Sequence, residues 1–140
     1  DATALSSVQR GVALGLSRRP PPAWRPTRVP DDAASAHHLR HQVAQLLNDG
    51  VIAVTPRRHA HCVLPMFVIP KKTGGWRLCH DLRHINAFIP RMRFRLQGVA
   101  YIRQHLQPNS WMASLDLSNA YYHVGVRPHD QKFMCFALDG

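Results

Sequence analysis

Apolar residues recur along the chain with two different periods, and the changes of period mark out its elements. Leu39, Val43, Leu46 and Leu47 fall at i, i+4, i+7 and i+8, which gathers them on one helical face. Asp31 and Asp32 stand in front with carboxylates to cap a first turn, and Gly50 stands behind, so a helix is predicted to run to about Asn48. Residues 51–54 then read as a short strand. Residues 62–70 are apolar and β-rich apart from Pro65, which marks an edge strand or a bulge. Thr73-Gly74-Gly75 supplies a turn and residues 76–82 return, the signature of a hairpin. From Gly98 a short helix carries Val99, Ile102 and Leu106 on one face, and Pro108-Asn109-Ser110 turns the chain into a run headed by Trp111 and Met112. That run reads as a strand ending at Asp116, followed by a polar step, two aromatics and the alternating Val124 and Val126: strand, turn, strand. The fold class is α+β, antiparallel strands with short helices.

Before residue 31 the periodicity is lost. Arg18-Arg19-Pro20-Pro21-Pro22 and Pro26 fix φ and remove backbone donors, so residues 1–30 are expected to form a flexible or extended linker, with a short helix around Val8 to Leu16 as its one regular piece. Residues 31–140 form the expected domain. The sequence opens on Asp1 and closes on Asp139-Gly140, a pair suited to a turn into a further strand, so both ends are expected to be cut from a longer chain.

Charge narrows the class of partner. Lys and Arg total 18 against 8 acids, every one of them Asp, for a net charge of +10 and a pI near 10.8. Such a surplus points to a polyanion, nucleic acid before membrane, since no amphipathic basic helix stands out; a solvated basic surface is the alternative. Between residues 57 and 103 ten Lys or Arg face a single acid, Asp81. Three cysteines, Cys62, Cys79 and Cys135, are odd in number and widely spaced, which argues against a disulfide scaffold and fits reduced thiols inside a cell. No run is apolar and long enough to span a bilayer, and no signal peptide is recognisable.

Candidate chemistry follows from placement. A carboxylate held by rigid backbone at Asp116 suits a hard divalent cation such as magnesium, although many Asp residues after strands only cap turns. Lys71 and Lys72 sit at the mouth of the hairpin and Arg77 on its returning strand, where a point charge and a planar fork can close on a triphosphate; basic hairpin tips also serve solubility alone. Arg91, Arg93 and Arg95 alternate through Met92 and Phe94, so an extended segment points all three one way, toward a nucleic-acid backbone. Arg10, Arg18, Arg19, Arg25 and Arg28 can touch phosphate, but plain solvation accounts for them. His37 with His41, and His59 with His61 and Cys62, lack the further ligands that a metal centre needs.

Three blocks, residues 67–86 with their Lys71-Lys72-Thr73-Gly74-Gly75-Trp76-Arg77 turn and the D-x-R-x-x-N of Asp81, Arg83 and Asn86, then residues 114–124 around Asp116, then residues 127–140, resemble reverse transcriptases of retrotransposons. The gypsy-like and tyrosine-recombinase (DIRS-like) kinds are most similar, and the resemblance runs from about Leu46 to Gly140. It implies a partial right-hand polymerase, fingers plus the first half of the palm, entered through the turn at Gly50-Val51-Ile52. Lys71, with Lys72 as the near alternative, and Arg77 would contact the incoming nucleotide's phosphates. Asp116 would be the first carboxylate for two Mg2+ (or Mn2+) ions, and the Leu117 carbonyl a second ligand. Tyr121 would select deoxyribose, Asp81 would be structural, Arg91, Arg93 and Arg95 would meet template backbone, and residues 133–138 would pair with residues 122–126. Asn119 is a departure, since many relatives carry Asp or another residue there, and no contact from it to the triphosphate is implied. The implied partners are an RNA or DNA template-primer, a deoxynucleoside triphosphate, and the remaining palm, thumb and ribonuclease H; no membrane is implied, and cytoplasm and nucleus are not distinguished.

The family's later Y-x-D-D motif is absent: Asp130 and Asp139 do not match it. One aspartate holds hydrated magnesium weakly, so the stretch is expected to be inactive alone as a polymerase. A non-catalytic basic nucleic-acid-binding remnant of a mobile element is the alternative, and a small structural interaction protein a third reading.

Overall fold

A computed structural model of the chain describes residues 2–139. In chain order its elements are helix α1 (Ala2–Arg10), strand β1 (Ala23–Trp24), helix α2 (Ala33–Asn48), strands β2 (Cys62–Val63), β3 (Met66–Pro70) and β4 (Trp76–His80), and helices α3 (Arg83–Asn86), α4 (Val99–His105) and α5 (Pro128–Gln131). Single 3₁₀ turns lie at Arg57–His59 and Ala120–Tyr122. The class is α+β, with short helices and two small sheets: β1 pairs parallel with β2, and β3 antiparallel with β4.

The predicted helix forms as α2. Asp32 caps it, its carboxylate accepting from the Ser35 N–H at 2.8 Å, and Gly50 takes a left-handed φ of 68° just beyond its end. Leu39, Val43 and Leu46 are buried as the period requires, while Leu47 is half out. The predicted hairpin forms as β3 and β4, with Met66 opposite His80, Val68 opposite Leu78 and Pro70 opposite Trp76 on one face, and Phe67 opposite Cys79 and Ile69 opposite Arg77 on the other. The first face docks on α2: Leu39, Val43 and Met66 form one buried cluster, closed by Val68, Leu78, Ile52, Phe136 and Leu138. A second cluster of Cys62, Leu64, Ile85 and Phe133 lies beneath β1 and β2, with Leu14, Leu16 and Ala23 against it.

Several expectations are corrected. The proline-rich stretch is extended as its prolines dictate, but it is packed rather than loose. Pro20 is fully buried, the Thr27 N–H reaches the Ala137 carbonyl at 2.9 Å, and the Thr27 hydroxyl accepts from the Met66 N–H at 3.1 Å. The N-terminal helix spans Ala2–Arg10, ahead of the expected position. Residues 51–54 form no strand, because the Val51 and Ile52 N–H groups turn back to the Leu46 carbonyl at 2.9 and 3.3 Å. Asp116 does not end a strand: residues 111–117 are irregular, and Trp111, Met112, Leu115 and Leu117 are all exposed. A strand needs a partner edge, and the described residues place none beside this run. The expected pairing of residues 133–138 with 122–126 is also absent. Val126 bridges Val12 instead, Cys135 bridges Val63, and Phe133 goes into the core.

His80, at the end of β4, is half-buried and its Nε2 finds no partner among the described residues. Burial lowers its imidazole below the ordinary 6.5, against the raising effect of nearby backbone and the Asp81 carboxylate. The folded state therefore prefers the neutral ring; this contribution is full above 6.5 and is lost as the pH falls below it, where the unfolded chain takes up the proton. The unfolding midpoint is expected to drop below pH 6.5, and His80→Leu to flatten that drop in thermal melts. An unchanged pH profile in that variant would exclude His80 as the cause.

Candidate functional site

The hairpin tip is the best-formed candidate. The Lys71 N–H donates to the Gly75 carbonyl at 2.9 Å and the Gly74 N–H to the Lys71 carbonyl at 3.1 Å, so residues 71–75 close as one tight loop. Gly74 and Gly75 take φ of 88° and 79°, a region where a Cβ is strained. The loop is held by β3 and β4, and those strands are held by α2, with Trp76 set 6.3 Å from the His38 ring between centroids.

Strand alternation puts Arg77 on the face away from α2, across from Ile69. Ile69, Pro70, Lys71, Lys72, Thr73 and Arg77 line an open cleft of about 350 Å³. No carboxylate lines it, and Lys71, Lys72 and Arg77 make no ion pair among the described residues. Three cations without a counter-charge among the described residues, beside an apolar floor of Ile69 and Pro70 and one hydroxyl, have the chemistry to accept a compact polyanion. Lys71, Lys72 and Arg77 were legible as cations of a hairpin; Ile69, Pro70 and Thr73 as lining were not, although the period-2 pattern of β3 already put Ile69 on the Arg77 side.

Asp81 takes no part in this cleft. It binds Arg83 through both oxygens, at 2.8 Å to Nε and 2.6 Å to Nη2, and accepts the Arg83 N–H at 3.2 Å. The Arg83 guanidinium holds its carboxyl down at about 2. Two more acids are likewise engaged: Asp130 accepts the Leu14 N–H at 2.9 Å, and Asp139 pairs with Arg40 at 2.9 Å.

The other sequence-derived candidates stand apart from the cleft. Asp116 and Leu117 are exposed on irregular chain, Tyr121 is exposed in the Ala120–Tyr122 turn, and Asn119 in front of it is left-handed at φ 53°. Arg91, Arg93 and Arg95 are exposed between α3 and α4. No hydrogen bond, ion pair or ring contact among the described residues joins any of these to Lys71, Lys72 or Arg77. For a divalent cation, Asp116 offers a carboxylate with no ion pair among the described residues, and Leu117 a carbonyl. No group of three His, Cys, Asp or Glu that would hold a metal occurs among the described residues. Asp116 therefore fits as one corner of a larger ligand set and not as a site by itself. His37 and His41 stack at 6.2 Å on α2, also without a third ligand.

No protein-family model matches the chain. It is 30% identical over 122 residues to the Gag-Pol polyprotein of walleye dermal sarcoma virus, an alignment that takes in 85% of this chain and 7% of that one. Its fold matches part of the native prototype foamy virus protease-reverse transcriptase, with a TM-score of 0.69, 21% identity, and coverage of 91% of this chain and 17% of that one. The foamy viral protease-reverse transcriptase solved in complex with double-stranded DNA matches at TM-score 0.70 and 22% identity, over 91% of this chain and 22% of that one. The chain is thus similar to a segment of retroviral pol polyproteins and shares the fold of part of a viral pol enzyme. It spans less than a quarter of each of these relatives.

The loop geometry gives a direct expectation. Gly75→Ala places a Cβ at φ 79° and is expected to destabilise the chain by about 1 kcal/mol, read as a lower urea midpoint. Ala at Gly98, which lies at φ −97°, is the matched comparison. Equal midpoints for the two variants would mean that the loop is not held in this conformation.

Proposed function

We propose that this chain is the nucleotide-facing part of a reverse transcriptase, fingers with the start of the palm, belonging to an RNA-directed DNA polymerase of a gypsy-like or DIRS-like retroelement. The observation that carries the reading is the cleft at the hairpin tip, cationic, free of carboxylates and fixed on a buried base. Lys71, or Lys72 beside it, and Arg77 grip the triphosphate of an incoming deoxynucleotide, the lysine as a point charge and the arginine as a fork on two oxygens.

Asp116 and the Leu117 carbonyl would hold Mg2+ (or Mn2+) together with carboxylates from elsewhere in a longer polypeptide, and the ion would supply charge stabilisation at the reacting phosphate. Tyr121 lies against the sugar and discriminates against a 2′-hydroxyl, while Arg91, Arg93 and Arg95 meet template backbone. The exposed apolar run of Trp111, Met112, Leu115 and Leu117 favours cover by further palm in the parent chain, which also brings the thumb and ribonuclease H. The solved relative bound to double-stranded DNA supports a template-primer as partner. A second reading, a non-catalytic nucleic-acid-binding remnant, is favoured by one observation: Asp116 belongs to no group of three metal-ligating side chains among the described residues.

Titrating the chain with a fluorescent deoxynucleoside triphosphate tests the cleft. Saturable binding is expected, weakened roughly tenfold by Arg77→Ala and absent for the unphosphorylated nucleoside; equal affinity in the variant would remove Arg77 from the site. In the longer parent, Asp116→Asn is expected to abolish primer extension with little loss of template binding, and full activity there would favour the remnant reading. Tyr121→Ala is expected to raise ribonucleotide incorporation, and unchanged sugar selectivity would take Tyr121 out of the gate.

A further inference from the structure

The solvent face of α2 carries a pair of side chains that neither the cleft nor the core uses. His37 and His41 stand one helical turn apart, and both are exposed. Their rings stack with centroids 6.2 Å apart and planes 26° from parallel. No hydrogen bond or ion pair among the described residues engages a nitrogen of either ring. Ala33, Ala36, Arg40 and Ala44 complete the same face, a shallow open cleft of about 470 Å³. Three of those four are alanines, so no bulky side chain crowds the imidazoles. Arg40 is the one charge among them, and Asp139 offsets it, accepting from Nε at 2.9 Å and from Nη2 at 3.2 Å.

We propose that His37 and His41 chelate a divalent cation of the zinc class on the outer face of α2. A helix brings side chains at i and i+4 onto one face, and two histidines so spaced can share a single zinc ion. Tetrahedral zinc with nitrogen ligands at about 2.0–2.1 Å needs its two donors about 3.3 Å apart. The rings stand wider than that, and rotamer changes of two exposed side chains close the gap without disturbing the core. The donor set selects the ion: imidazoles suit zinc, copper or nickel, whereas magnesium and calcium seek oxygen, and no carboxylate lines this cleft. Two ligands do not make a closed structural centre. They make a surface chelate of modest affinity, with water in the remaining positions. The net charge of +10 opposes any cation, but at about 0.15 M salt screening over about 8 Å leaves the coordinate bonds to decide. An ion shared by residues 37 and 41 also pins one turn of the helix that holds the hairpin, so occupancy stabilises the folded chain by mass action. This site uses none of Lys71, Lys72, Arg77 or Asp116, and it stands if the hairpin cleft binds no nucleotide.

Titration of the whole isotopically labelled chain with zinc chloride at neutral pH tests it, read through the histidine ring signals. Those of His37 and His41 are expected to move together and saturate at one shared midpoint, while magnesium chloride leaves them in place. The thermal midpoint is expected to rise with zinc. His37→Ala and His41→Ala are each expected to abolish that rise and to weaken zinc binding by more than about tenfold, the least that losing even an outer partner of a ligand costs. His41→Ala combined with Gln42→His keeps the number of histidines, breaks the spacing, and is expected to lose the site equally. His59→Ala combined with His129→Ala, which removes two exposed histidines outside α2, is expected to retain the α2 signals' response. An equal melting midpoint without metal checks that each variant folds. Response of the two rings at unrelated zinc concentrations, undiminished affinity in either single variant, or equal affinity after the change of spacing would each overturn the proposal.

Discussion

The packing of α2 on the inner face of the β3–β4 hairpin is the contact on which the remaining architecture depends. An isolated two-stranded hairpin is marginal in water, and this one carries three cations at its tip that make no ion pair among the described residues. Leu39, Val43 and Met66, buried with Val68 and Leu78 against them, give it a base. Leu39 is fully buried, and shortening a side chain so placed typically costs about 2–5 kcal/mol. With the base fixed, the period of the strand fixes the tip: inner residues face the helix, and Arg77 is turned outward beside the loop lysines. The repulsion among those cations is the counterpart of this arrangement, tolerable in solvent and relieved by a polyphosphate.

Local rules made that part readable. The α2 cap at Asp32, the apolar face of the helix, the glycine pair in the hairpin loop and the place of Arg77 on the returning strand all depend on neighbours within a few residues, and each formed where the pattern put it. What escaped the pattern depends on distant partners. Nothing near Pro20 or Thr27 announces that they pack against residues 61–66 and 137, some forty to a hundred positions on. Nor does the alternation of Val124 and Val126 reveal that Val12 takes the edge expected for residues 133–138. Trp111 and Leu115 carry a strand-like pattern, but a pattern only becomes a strand where another edge receives it. The stacking of Arg57 on Trp24 was invisible for the same reason, its two residues being far apart in sequence.

The molecule thus has two unlike halves. One is a packed unit around the hairpin, in which acids are consumed in structural pairs: Asp81 with Arg83, Asp139 with Arg40, Asp130 with the Leu14 N–H. The other, residues 90–123, is exposed throughout and holds Asp116 and Tyr121. With Asp81, Asp130 and Asp139 engaged, the arginines and lysines of this unit outweigh the acids left to oppose them. Of the cations behind the net charge of +10, Lys71, Lys72 and Arg77 gather on one cleft at the hairpin tip, and Arg91, Arg93, Arg95 and Arg103 lie on the exposed segment.

The most direct measurement is amide chemical-shift mapping of the isotopically labelled chain as a deoxynucleoside triphosphate is added. A cleft that grips the phosphates requires saturable shifts centred on residues 71–77, with none from the matching nucleoside. Shifts that spare this loop and gather elsewhere, or that the nucleoside reproduces, would contradict the account.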